Sequence, residues 1–145
     1  MLRSILAVVV GFFVAMVLSF GTDALLALAL PDMVRHDAPT PPAVLVLALA
    51  YVFLFSVLGG YVAALLAGRA EIKHGLTLGI IFLALGLVMG LVTVLAPAES
   101  MPAGERPPRW YVICCILLAL PGPLAGGWLR ALQKRRRQAE PNTLA

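Results

Sequence analysis

The stretch GLTLGIIFLALGLVMGLVTVLA, Gly75 to Ala96, carries neither a charged residue nor a proline. It exceeds the roughly 20 apolar residues that a helix needs to cross a hydrocarbon core about 30 Å thick. Its glycines fall in one register: Gly75, Gly79, Gly86 and Gly90 lie on a single helix face as two small-xxx-small pairs. Lipid tails do not drive helices together, so stripes of small residues that admit a neighbouring backbone are what a packed membrane helix requires. Working outward, three more apolar runs follow the same rule: Ile5 to Leu30, Val44 to Ala67 and Trp110 to Leu132. The expected architecture is all-α, a polytopic membrane protein of four spans (about 5–30, 44–67, 75–96 and 110–132) forming a domain over 1–133, followed by a basic tail over 134–145.

Composition agrees. Of 145 residues 61% are hydrophobic and only 12% charged, whereas soluble domains are roughly 45–50% apolar. The charges cluster between the runs, as a bilayer demands, so the net charge of +4 belongs to the flanks and gives no reason to expect nucleic acid as a partner. The N-terminus, the middle connector and the tail hold Arg3, Arg69, Lys73, Arg130, Lys134, Arg135, Arg136 and Arg137, eight basic residues against Arg35, Arg106 and Arg109 on the other side. That imbalance places both termini in the cytoplasm. Trp110 and Tyr111 then open the last span at the outer interface and Trp128 closes it at the inner one, where an aromatic belt belongs. The first apolar run is far longer than the 7–15 residues of a signal-peptide h-region, so it reads as a span.

Other small-residue faces recur. Gly11, Ala15 and Ser19 step by four along the first span, and Gly60, Ala64 and Gly68 do so along the second. They mark helix-packing faces, within the chain or toward a second copy or another membrane protein. GGYVAAL at Gly59 to Leu65 returns as GGWLRAL at Gly126 to Leu132, which raises a duplicated helical hairpin of the parallel type, its halves related about the membrane normal. Pro121 and Pro123 interrupt the last span, each removing a backbone donor and bending the helix.

Asp23 is the one acidic residue within an expected span, and an intramembrane carboxylate is a functional candidate by default. It continues the stripe of Gly11, Ala15 and Ser19, which points it toward the bundle. An upright helix from Ile5 puts it about 27 Å along the axis, near the outer edge of the core, while a tilted one sinks it deeper. Insertion energetics do not separate the two: Asp costs roughly 2.5–3.5 kcal/mol at a helix centre and fifteen Leu, Ile, Phe and Val residues contribute roughly −4.5 to −9 kcal/mol. Asp23 is thus either an interfacial packing residue, bonded to backbone or to Arg35 or His36, or a proton or cation site.

Enzymatic chemistry finds little footing. His36, His74, Cys114 and Cys115 fall on different sides or within a span, short of the three or four converging ligands of a zinc site. Ser100, His36 and Asp37 share a side but lie in proline-rich connectors that define no triad geometry. No glycine-rich phosphate loop joins a strand to a helix. The adjacent cysteines point about 100° apart on a helix, read as packing residues, and lack the charges that activate a thiol. No cofactor is called for.

GGYVAALLAG (Gly59 to Gly68) with its basic turn and His74, PRWY (Pro108 to Tyr111) and LPGPLAGGWL (Leu120 to Leu129) together resemble a set of small four-helix bacterial integral membrane proteins. The resemblance covers most of the chain in layout and implies the same four-span inner-membrane fold. It supplies no activity, cofactor or catalytic residue, and in it the first helix is not regularly marked by an acid. The expected role is a non-enzymatic structural or accessory subunit that packs against helices, with a proton-coupled carrier using Asp23 as the alternative.

Overall fold

The computed structural model describes residues 2–31, 39–68, 70–96 and 107–139. Five helices follow in order: α1 (Leu2–Ala29), α2 (Pro42–Ala67), α3 (Glu71–Leu95), α4 (Arg109–Ala119) and α5 (Pro121–Ala139). The last two form one run, so among the described residues the chain has four helices long and apolar enough to cross a membrane, with mean hydropathy of 2.0 to 2.7 over their most apolar windows. It is an all-α multi-pass membrane protein. Large apolar side chains such as Phe13, Val17, Phe20 and Leu117 are exposed on the bundle surface, as the lipid-facing side of a membrane protein requires.

Proline sets where the helices begin. Pro42 occupies the first turn of α2 and Pro108 precedes α4, positions where a missing N–H removes a donor that has no partner within the helix in any case. The turn from α2 to α3 is tight: Gly68 caps α2 in the left-handed conformation at φ 72, donating its N–H to the Ala64 carbonyl, and Ala70 is also left-handed at φ 52. Gly68 is therefore a C-cap glycine and not a member of the packing face with Gly60 and Ala64. Its register continued the stripe, but a backbone leaving the helix no longer presents a face.

At the end of the bundle where α1 begins and α5 ends, basic side chains from neighbours complete α2. Arg3 Nε donates to the Leu66 carbonyl at 3.1 Å. Lys134 Nζ donates to the Gly68 carbonyl at 3.0 Å and to Glu71 Oε1 at 2.6 Å. The final carbonyls of a helix lack internal partners and carry the negative end of its dipole. α2 has no basic residue in its own last turn and takes two from α1 and α5. The region expected to be a basic tail beyond residue 133 is helical to Ala139 as a continuation of α5, with Lys134 held in this cap.

α2 and α3 form the centre, with α1 on one side and α5 on the other; α1 meets neither α4 nor α5. Glycine governs the contacts. A Cβ on Gly11 would lie 2.5 Å from the Gly59 carbonyl oxygen, and one on Gly60 2.2 Å from that of Pro123. On α5, Gly126 abuts Val57 and Tyr61 of α2, and Gly127 abuts Glu71 and Gly75 of α3. Pro123 is among the most completely buried side chains of the chain.

These contacts run against a duplicated hairpin. Gly59 faces α1 and Gly60 faces the fourth span, so a two-fold axis along the membrane normal would turn Gly126 toward α3 and Gly127 toward α2. The observed order is the reverse. Such an axis would also pair α1 with α5 as α2 is paired with α3, and α1 and α5 do not meet. The recurring motif reflects two helices that each sit between two neighbours, the adjacent glycines pointing about 100° apart to serve both.

Candidate functional site

Above the glycine junction the fourth span departs from the bundle. Pro121 and Pro123 supply no N–H, so the carbonyls of Leu117 and Ala119 lose their helical donors; regular bonding resumes with Leu124 N–H to the Leu120 carbonyl at 3.4 Å. Below the break α5 packs on α2 and α3, and above it α4 lies mainly along α3. A cleft of about 390 Å³ opens between α1 and α4, floored by α2 and α3. Its wall is apolar, with Phe20, Phe53, Phe82 and Met89, and its few polar groups are Ser19, Ser56 and Cys115. Ser56 donates within its own helix to the Phe53 carbonyl at 2.7 Å.

Asp23 stands one helical turn beyond Ser19, toward the end of the bundle away from the termini. Its carboxylate accepts a hydrogen bond from the Tyr51 hydroxyl of α2. Tyr111 stands one turn beyond Cys115 on α4 and is half-buried. Asp23 and Tyr111 thus stand one turn beyond Ser19 and Cys115, two residues of the cleft wall; neither they nor Tyr51 line the cleft itself. Tyr51 is buried while Asp23 is exposed. Asp23 thus stands at the edge of the bundle, with its carboxylate turned onto the buried Tyr51 of α2. The partners expected for it, Arg35 and His36, lie outside the described residues, as do Asp37 and Ser100. No Lys, Arg or His among the described residues pairs with Asp23.

The other expected residues are distributed as follows. Gly11, Ala15 and Ser19 are buried on the α1 face toward α2, and Gly60 and Ala64 are buried on α2. Gly75 and Gly79 lie against Pro123, Gly127 and Leu120, while Gly86 and Gly90 lie against Ile116 and Val112. All four α3 glycines thus face the fourth span of the same chain, and Gly86 also lines the cleft. No group of three or more His, Cys, Asp or Glu comes together among the described residues.

Tyr51 is the residue that sequence reasoning missed. The signal was present: Asp23 and Tyr51 stand at comparable distances on either side of the first connector, where an antiparallel pair brings them level. Gly122 was missed as well, although a Cβ there would meet Ser56 Oγ at 1.9 Å. No family model, curated protein or solved structure matches the chain.

Proposed function

We propose that the chain is a small, non-enzymatic carrier of the bacterial inner membrane, both termini cytoplasmic, that binds a lipophilic cargo in the cleft beneath Asp23 and Tyr51. The observation that supports this reading is the cleft itself: about 390 Å³ falls within the roughly 300–1,000 Å³ of small-molecule sites, which are mostly apolar with a few convergent polar groups. The eight-to-three distribution of Lys and Arg supports the orientation. On this reading Asp23 is the proton or cation site and the proline break holds α4 away from α1. The test is flux in proteoliposomes across lipophilic cations, anions and neutral molecules. Transport that falls in Asp23→Asn supports the reading; wild-type vesicles equal to empty ones across the panel overturn it.

A structural or accessory helix-packing subunit, homo-oligomeric or bound to another membrane protein, is the second reading. The α3 glycines that suggested it face the chain's own fourth span, but Gly21 on α1 has nothing within 4 Å of a would-be Cβ, which leaves room for a foreign helix. Gly21→Leu is expected to change oligomeric state or partner recovery on this reading; unchanged assembly overturns it.

A further inference from the structure

A carrier cleft leaves open what it carries, and the chemistry at its mouth narrows the class. The cleft wall offers a ligand almost nothing but hydrocarbon contact, since its few polar groups are Ser19, Ser56 and Cys115, and Ser56 is bonded within α2. At the mouth, Asp23 is exposed, receives a hydrogen bond from one neutral phenol, and has no cationic partner among the described residues. A carboxylate one turn beyond an apolar cleft is complementary in charge to a cationic head group. Tyr51 is buried against Phe55 and serves as the hydrogen-bond donor, while Tyr111, half-buried one turn beyond Cys115 on α4, offers a ring face that attracts an ammonium through its quadrupole.

We propose that the cleft takes a single-chain cationic amphiphile, its tail lying between α1 and α4 and its ammonium held by Asp23 beside Tyr51 and Tyr111. This inference rests on the reading of the cleft as the binding site and adds to it the charge class of the ligand. An anionic amphiphile would bring a like charge against Asp23, and a neutral one would gain no attraction from it. The ammonium sits at the mouth and the tail runs inward along Ser19 and Ser56 toward the glycine junction.

The test uses the full chain in zwitterionic nanodiscs and radiolabelled dodecyltrimethylammonium, with empty nanodiscs subtracted for partition into lipid. Dodecyl sulfate and dodecanol are run alongside. Saturable excess binding of the cation alone is expected, weakened about tenfold or more in Asp23→Asn and lost in Gly86→Leu. Gly86 lines the cleft, and the leucine adds bulk to that wall, its Cβ in ordinary contact with Ile116 at 3.5 Å; thermal unfolding of both variants verifies that they are folded. Equal saturation by the three probes, or cation binding indifferent to Asp23→Asn, overturns the charge assignment while leaving a binding cleft. No saturation by any probe overturns both the assignment and the cleft reading.

Discussion

Gly11 of α1 and Gly59 of α2 stand back to back, each denying the other room for a side chain: a Cβ on the first would lie 2.5 Å from the carbonyl oxygen of the second, and a Cβ on the second 2.6 Å from that of the first. Both obstructing atoms are backbone, so no rotamer change relieves the contact and the helices themselves must separate. Gly11→Ala and Gly59→Ala are expected to destabilise the bundle by about 1–3 kcal/mol each, the usual cost of overpacking. Gly21→Ala, with open space around it, is expected to change little. Unfolding midpoints in mixed detergent micelles measure all three. A Gly59→Ala midpoint equal to wild type would show that α1 and α2 do not approach this closely.

How much of this was legible beforehand depends on what each residue's position encodes. The four spans were readable because a bilayer imposes length and hydropathy on every crossing helix, and the small-residue registers identified which faces are crowded. Register does not name the neighbour. Gly59 and Gly60 occupy adjacent positions yet face different helices, and only the packed bundle shows that Gly60 meets Pro123. The fate of Gly68 turned on one backbone angle, φ 72, which periodicity does not report. At the site, the chemistry of Asp23 was evident from its type, but its partner Tyr51 is 28 positions away and is brought to it by helix pairing alone.

The Asp23–Tyr51 bond joins α1 to α2 at the end of the bundle opposite the Gly11–Gly59 contact. Hydrogen bonds to a charged group contribute roughly 1.5–3 kcal/mol when buried, and less where one partner is exposed as Asp23 is. Tyr51→Phe is expected to cost about 1 kcal/mol, and the double-mutant cycle with Asp23→Leu to show a coupling of about 0.5–1 kcal/mol. Additive effects of the two substitutions would mean that the phenol and the carboxylate do not interact.

Lys134 has a second task besides any influence on orientation: its ammonium holds the Gly68 carbonyl and Glu71 at the α2–α3 turn. Lys134→Met removes the cap while leaving the methylene stem. The expected loss is about 0.5–1 kcal/mol, with faster amide exchange at the α2–α3 turn and unchanged topology, because seven basic residues remain on that side. Unchanged exchange there would assign Lys134 to orientation only.

Gly122 separates a clash that can be relieved from one that cannot. A Cβ on it would meet Ser56 Oγ at 1.9 Å, with the Ser56 Cβ at 3.1 Å and Phe53 at 3.5 Å. The first obstruction is a single side-chain oxygen, whose own bond goes no further than the Phe53 carbonyl. Gly122→Ala alone is expected to destabilise by about 1–3 kcal/mol, and adding Ser56→Ala to restore most of that loss, although Ser56→Ala alone is nearly neutral. Gly60→Ala offers the contrast: its Cβ meets the Pro123 carbonyl oxygen at 2.2 Å and the Pro123 Cα at 2.6 Å, which no side-chain change removes, so Ser56→Ala leaves its loss intact. Unfolding of the three single variants and the two pairs decides the matter. Rescue of Gly122→Ala without rescue of Gly60→Ala places Ser56 against the proline break; rescue of both would mean that Ser56→Ala stabilises the bundle in general and reports no contact.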